Sequence, residues 1–375
     1  MKIVFATNYY NHHQAPFAEA MDLFTDHNFY FVETKPLSEE RKALGWGEDG
    51  IPSFVLQAYT SKEEKDRCQN LINDADVVIW GGCPFSMVRP RLKKKKLTFA
   101  YSERIFKKGF SGFDYWGRVI KYFCRLKPYL KRHYLLCASS YAASDYDRIG
   151  LFKGKAFRWG YFPSIKKHED LSAILGRKEE NSILWVGRLI DWKHPEMAIE
   201  AARLLRDEGI TFNLNIIGCG EMEDILHSMI TEYNLEDRVK MLGSMSPQEV
   251  RRYMEASQIF LFTSDQNEGW GAVLNEAMNS CCTVVADNRI GSVPYLMKDT
   301  ENGFIYYTGE LEEMYKKVKL ALAQKEKCKE IGRNAYQTMA DMWNAEVAAW
   351  RLIEFIKRET ECFEGPMSKD DGSCK

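Results

Sequence analysis

Short apolar, β-branched runs alternate along the chain with longer stretches in which apolar residues return every three or four positions. That alternation predicts parallel strands joined by crossover helices, twice over. In the first half the strand candidates are residues 2–6, 29–33, 77–80, 97–101 and 134–138. In the second half they are residues 183–186, 212–217, 239–242, 259–262 and 283–286. Pro195 opens one helix and Gly209 ends it, because Pro suits the first helical turn and Gly the position after the last. Ser246-Pro247-Gln248-Glu249 opens another, with Ser as N-cap and Glu three residues on. Residues 164–181 turn polar and charged, the composition of a linker. The expected architecture is α/β: two doubly wound, Rossmann-like domains, residues 1–163 and 182–334, facing a central cleft. Ligands of such sheets bind beyond the carboxyl ends of the strands, so both domains should present loops to one crevice. Residues 335–360 read as helices crossing back to pack on the first domain, and 361–375 as a disordered tail.

A chain of 375 residues has the material for two cores. Its net charge of −1 argues against a nucleic-acid partner, which would need a strongly basic domain. No run of about 18 apolar residues offers a membrane span. The start, Met1-Lys2-Ile3-Val4-Phe5-Ala6, turns polar too soon for a signal-peptide core, so the expected location is cytoplasmic. The ten cysteines do not alter this. They form no Cys-x-x-Cys, and several lie in apolar runs such as Leu135-Leu136-Cys137-Ala138, where a thiol behaves as a small hydrophobe. Cys281-Cys282 reads the same way, inside a core strand. No Asp-x-Asp stands at a strand end, and Asp145-Tyr146-Asp147 reads as helical, so no metal is expected.

The chemistry gathers in the second half. Residues 263–278 follow an apolar strand and run into a helix. Gly269 and Gly271 bracket Trp270 and free the backbone for positive φ and close approach to a ligand. The amides of Gly271, Ala272 and Val273 would then open a helix, where orphan N–H groups and the dipole favour a phosphate. Glu268, before the turn, and Glu276, inside the helix, suit sugar or ribose hydroxyls as bidentate acceptors. The bland alternative is a strand–turn–helix connection with surface glutamates. Gly187-Arg188-Leu189 ends another strand, and Lys193 follows five residues after Arg188. Two cations in one βα loop can neutralise a diphosphate and the charge growing on it as it leaves. Gly218-Cys219-Gly220 places glycines at a third strand end.

Together these residues resemble the large GT-B family of retaining glycosyltransferases known as family 4. The resemblance is strongest over residues 182–306. Glu268 and Glu276 match the family's E-x7-E element in an E-G-aromatic-G context, and Gly187-Arg188-Leu189 with Lys193 matches its G-R-L…K element. Weaker echoes are residues 239–243, which end on Gly243, then Gly291-Ser292-Val293-Pro294 and Asn302-Gly303-Phe304. The resemblance implies a GT-B fold and a nucleotide-diphosphate-sugar co-substrate, with UDP or GDP as the nucleotide and no further cofactor. It implies transfer of a hexosyl group, with retention, to a glycan or lipid-linked glycan. It assigns the diphosphate to Arg188 and Lys193, the transferred sugar to Glu268 and the ribose to Glu276. Ser280-Cys281-Cys282-Thr283 departs from the family pattern, with packing consequences expected, and Tyr295 stands at a commonly acidic position.

The first domain departs further. Its first loop reads Asn8-Tyr9-Tyr10-Asn11-His12-His13-Gln14-Ala15-Pro16, without the glycine pair of many relatives. Asn11, His12 and His13 are candidates for donor or acceptor hydroxyls. Many relatives carry a His after a middle strand, where this chain reads Tyr101-Ser102-Glu103-Arg104, so Glu103 joins the candidates. These stretches resemble members that build surface polysaccharides. Arg89–Lys96, written Arg89-Pro90-Arg91-Leu92-Lys93-Lys94-Lys95-Lys96, is a cationic run, and residues 113–134 interleave Trp116, Tyr122, Phe123 and Tyr129 with six basic residues. Either the aromatics pack into the core, or the face lies on an anionic membrane at its inner side. Two rival readings are a nucleotide-sugar epimerase on the same fold and a non-catalytic nucleotide-binding or scaffold partner of a glycan-assembly complex.

Overall fold

The computed structural model describes residues 1–38, 50–307 and 309–361. The predicted tail falls almost wholly outside them. The chain divides into two compact units, Met1–Ser164 with the chain from Asn344 onward, and Ile165–Trp343.

The first unit is built on seven parallel strands in the order β3-β2-β1-β4-β5-β6-β7. These are β1 (Ile3–Thr7), β2 (Phe29–Glu33), β3 (Val55–Gln57), β4 (Val77–Trp80), β5 (Thr98–Ser102), β6 (His133–Cys137) and β7 (Ala156–Arg158). All five residues of β1 are buried, as expected of a central parallel strand covered on both faces. The register runs Ile3 against Phe29 on one side and against Val77 on the other. The last helix, Ala345–Glu361, packs on the first, Ala15–Phe24. Its Phe355 ring meets Phe99, Tyr134 and Phe157 at 5.7, 5.4 and 4.8 Å between centroids.

The second unit has six parallel strands in the order β10-β9-β8-β11-β12-β13. They are β8 (Glu179–Val186), β9 (Asn213–Ile217), β10 (Val239–Met241), β11 (Ser257–Phe262), β12 (Thr283–Asp287) and β13 (Phe304–Tyr306). β11 and β12 are buried throughout. The helix Pro195–Asp207 begins on its Pro, and Gly209 beyond its end takes φ of 69°. The helix Pro247–Ala256 has the complete capping box, Ser246 with Glu249.

Three expectations change. Residues 164–181 are no linker: they hold the helix Leu171–Arg177 and the start of β8. Ile174 and Leu175 of that helix pack with Cys281 and Tyr336, so two apolar residues suffice to anchor a stretch whose other faces stay polar. The return to the first unit starts at Asn344, because the helix Lys325–Gln337 buries its face in the second unit. Cys281 and Cys282 lie in the turn before β12, Cys281 at φ of 57°. Among the described residues all cysteines are free thiols.

Candidate functional site

In the second unit, two loops at the carboxyl ends of β8 and β9 are zipped together by backbone bonds. The Gly187 amide donates to the Ile217 carbonyl and the Leu189 amide to that of Cys219, at 3.0 and 2.9 Å. The Gly218 amide reaches the Gly243 carbonyl at 2.8 Å, drawing in the end of β10. Gly218 sits at φ of 143°, and a Cβ there would stand 1.8 Å from the Gly187 carbonyl oxygen. Only glycine permits the approach.

The loop after β8 carries the charges. Lys193 Nζ meets Glu268 Oε2 at 2.6 Å, both side chains mostly buried, and Ser264 Oγ donates to the same oxygen at 3.2 Å. The Trp192 ring lies beneath both cations, 4.9 Å from Lys193 Nζ and 5.9 Å from the Arg188 guanidinium. Arg188 is exposed, and among the described residues it forms no ion pair. A relay fixes the floor: Trp185 Nε1 donates to Thr263 Oγ1, which donates to the Lys193 carbonyl, at 2.9 and 2.7 Å. Trp192, Thr263, Ser264 and Trp185 were not among the predicted residues. Trp192 was findable, since it stands between the two cations in sequence.

The β11 loop closes over Gly271, whose φ is 80° and whose added Cβ would fall 2.3 Å from Phe262 Cζ and 3.1 Å from Glu268 Cγ. Gly269 takes no positive φ, so one glycine rather than two makes the turn. Trp270 points inward. Its indole is buried, stacks on Trp343 at 5.7 Å and 17°, neighbours Tyr295 at 6.4 Å, and donates to Asn275 Oδ1 at 2.9 Å. The Trp270 ring is thus a packing anchor, leaving only its backbone for a ligand, and Tyr295 has a place in the same stack. Beyond it the amides of Gly271, Ala272 and Val273 donate to no acceptor among the described residues, at the start of the helix Val273–Asn279.

Glu276, on that helix, is half-buried. Desolvation pushes its carboxyl above the ordinary range, with Arg251 pulling the other way. Arg251 itself donates to the Glu276 carbonyl, Asn279 Oδ1 and Ser280 Oγ. Among the described residues no donor reaches the Glu276 carboxylate. A desolvated acceptor in that state gains from any hydroxyl brought to it. Among the described residues no three His, Cys, Asp or Glu side chains gather as a metal centre.

The first unit's candidates meet at the carboxyl edge of its own sheet. Asn11 is buried and works on its loop: its Oδ1 accepts from the His13 amide at 3.0 Å, while its carbonyl accepts from the amides of Gln14 and Ala15. The His12 and His13 rings are 3.9 Å apart. Burial, then the neighbouring His12, holds His13 down to about 3, so it is neutral at neutral pH. Glu103 pairs with Lys107 at 2.7 Å and accepts from the Tyr161 hydroxyl at 3.0 Å. Asp145, the letter match to a metal motif, is helical and accepts from the amides of Ile105 and Phe106 at 2.9 and 3.0 Å. Arg91 leaves the cationic run altogether. It is fully buried and donates to Thr98 Oγ1 and to four backbone carbonyls, and burial lowers it to about 10.

Residues 167–338 match the model of the glycosyl transferases group 1 family. The amylovoran biosynthesis glycosyltransferase AmsK of Erwinia amylovora is 34% identical over 137 residues, 35% of this chain and 33% of AmsK. A Campylobacter jejuni N-acetylgalactosamine-N,N'-diacetylbacillosaminyl-diphospho-undecaprenol 4-alpha-N-acetylgalactosaminyltransferase is 31% identical over 179 residues, 48% of this chain and 47% of that enzyme. This chain thus spans about a third to a half of the length of these curated relatives. The crystal structure of Anabaena HepE in complex with UDP superposes with a TM-score of 0.72 at 17% identity, covering 95% of this chain and all of HepE (100%). That likeness establishes the fold as GT-B, two Rossmann-like α/β units. Residues 167–338, which lie within the second unit, are similar to the glycosyl transferases group 1 family.

Proposed function

We propose that the protein is a glycosyltransferase that moves a hexosyl group from a nucleoside-diphosphate sugar to a hydroxyl of a glycan or lipid-linked glycan, with retention of configuration. One observation carries the reading: exposed Arg188 and the Lys193–Glu268 pair stand over one tryptophan in the loop after β8. A diphosphate takes Arg188 and competes for Lys193, and its outer oxygens take the amides of Gly271, Ala272 and Val273. Lys193 released in part from Glu268 leaves that carboxylate for sugar hydroxyls, and Glu276 accepts from the ribose.

As the anomeric C–O bond breaks, the electron pair goes to the diphosphate, where Arg188, Lys193 and the amides stabilise it. The acceptor oxygen bonds the anomeric carbon from the face the diphosphate leaves. Its proton passes to the departing phosphate oxygen. Preorganised cations do here what a divalent ion does elsewhere, so transfer should persist in EDTA. HepE was crystallised with UDP, which favours UDP over GDP. The AmsK and C. jejuni names favour a polysaccharide or a polyprenyl-diphosphate-linked glycan as acceptor.

The test is thermal shift with UDP and GDP in EDTA, on the wild type and on Glu276→Gln. One nucleotide should raise Tm, and the variant should bind it about tenfold more weakly, roughly 1.4 kcal/mol. Equal shifts for both proteins would remove Glu276 from the donor site. No shift with either nucleotide would favour the scaffold reading, and sugar-nucleotide interconversion without acceptor would favour the epimerase.

A further inference from the structure

We propose that His194 is a positioning residue: its ring ties the loop after β8 to the loop after β11 and so sets where Lys193 stands against Glu268, a role that rests on the donor reading above. Residues 192–194 and 263–265 are joined three times. The Thr263 hydroxyl donates to the Lys193 carbonyl at 2.7 Å, the Asp265 amide donates to the Trp192 carbonyl at 3.0 Å, and His194 Nε2 faces Asp265 Oδ2 at 3.7 Å. Of these three ties only the last carries charge. Asp265 is itself fixed: its Oδ1 accepts from the Asn267 amide at 2.7 Å, and its carbonyl accepts from the Glu268 amide at 3.1 Å. The ring therefore grips the residue that opens the turn to Glu268, from a position next to the lysine that Glu268 pairs with.

The backbone shows what the ring offsets. His194 sits at φ of 50° and ψ of 51°, between the turn Asp191–Lys193 and the helix Pro195–Asp207, and its side chain caps no helix amide. Glycine takes this left-handed conformation without strain. Histidine takes it at a steric cost that its side-chain contacts must meet. On its own helix, Nδ1 meets Glu196 Oε1 at 2.8 Å. Glu196 first, and then Asp265, raise the ring above the ordinary histidine range, against burial and against Arg289 of the loop after β12. Arg188 and Lys193, the cations of its own loop, lie over Trp192. The tie is thus full while the ring is charged and slackens as pH rises through the raised value. Lys193 is then less fixed, and a diphosphate must order it on binding.

The experiment measures UDP and GDP affinity by calorimetry from about pH 5.5 to about pH 8.5 on the wild type and on His194→Asn, a range that spans the ordinary histidine value. Asparagine tolerates the left-handed backbone, so the variant keeps the turn while losing the charge. The nucleotide's own titration is common to both proteins and cancels in their ratio. At the low end the variant should bind about threefold more weakly, and at the high end the two should agree within about 1.5-fold. In the ligand-free protein, NMR titration should place the His194 pKa above about 6.5 and find it lowered in Asp265→Asn. A ratio that stays constant across pH, or a His194 titration that Asp265→Asn leaves unchanged, overturns the proposal while leaving the donor site standing. If neither nucleotide binds the wild type at any pH, the donor reading fails and the positioning role fails with it.

Discussion

The carboxyl edges of the two sheets solve one problem in opposite ways. At the second edge, glycine shapes the loops: Gly218 and Gly271 let backbone approach backbone or ring where no Cβ fits. The charged side chains there are less committed, with Arg188 in no ion pair and the Glu276 carboxylate without a donor among the described residues. At the first edge, side chains do the shaping. Asn11 holds the amide of His13, Glu103 holds Lys107 and Tyr161, and buried Glu33 at the end of β2 accepts from the Tyr10 amide and from Gln57. A polar residue committed to its own backbone is a poor ligand contact, however suggestive its place in the sequence.

That contrast can be broken most sharply at Arg188. Arg188→Ala should cost about 10²–10³ in kcat, some 2.7–4 kcal/mol, with Tm unchanged; steady-state kinetics that find a loss under threefold would remove it from the site. Next in size is Gly218→Ala. Its Cβ would meet the Gly187 carbonyl, so it should destabilise the second unit by at least about 2 kcal/mol and lower Tm by roughly 4–8 °C. Asn11→Ala should cost about 1 kcal/mol in urea denaturation while leaving nucleotide affinity within about twofold. A tenfold loss of affinity there would return Asn11 to the ligand contacts.

The remaining effects are in pH. Burial holds His133 near 3, and its Nε2 accepts from Trp80 Nε1 at 3.0 Å, which requires the neutral ring. The folded state thus declines protons that the unfolded chain takes. The contribution of His133 and His13 to the first unit is full above about 6.5 and falls as pH drops, by up to about 1.4 kcal/mol per pH unit for each. His194 in the second unit is raised, chiefly by Glu196, so its contribution is full below about 6.5 and is lost as pH rises through the raised value. Hydrogen exchange at pH 5.5 and 7.5 should show the histidine contributions moving oppositely in the two units. His133→Asn should flatten the first trend and His194→Asn the second.

Ten strands were legible, eight by a run of four or more apolar or β-branched residues and β9 and β10 by apolar residues interrupted by single polar ones. The three that were not, β3, β7 and β13, are three residues long, as is β10, which stood out only because Leu242 extends its apolar pattern. The second edge was legible for a related reason: glycines and charges at fixed spacing are local features of one chain segment. Trp270 misled because a residue between two glycines looks exposed, and its burial depends on Trp343, 73 positions away in sequence. Arg91 misled likewise, since a basic run does not reveal that one member turns inward to five acceptors. The helix Gly112–Leu126 was read with both alternatives open; Tyr115 and Tyr122 turn to the core, and Trp116 and Phe123 face outward.

The first unit closes only with the helix Ala345–Glu361, which brings Phe355 onto Phe99, Tyr134 and Phe157. On the ribosome, Ile165–Trp343 is therefore complete before the domain translated ahead of it. Until the last helix emerges from the exit tunnel, that earlier domain lacks the ring that covers Phe99, Tyr134 and Phe157, so its folding must finish last.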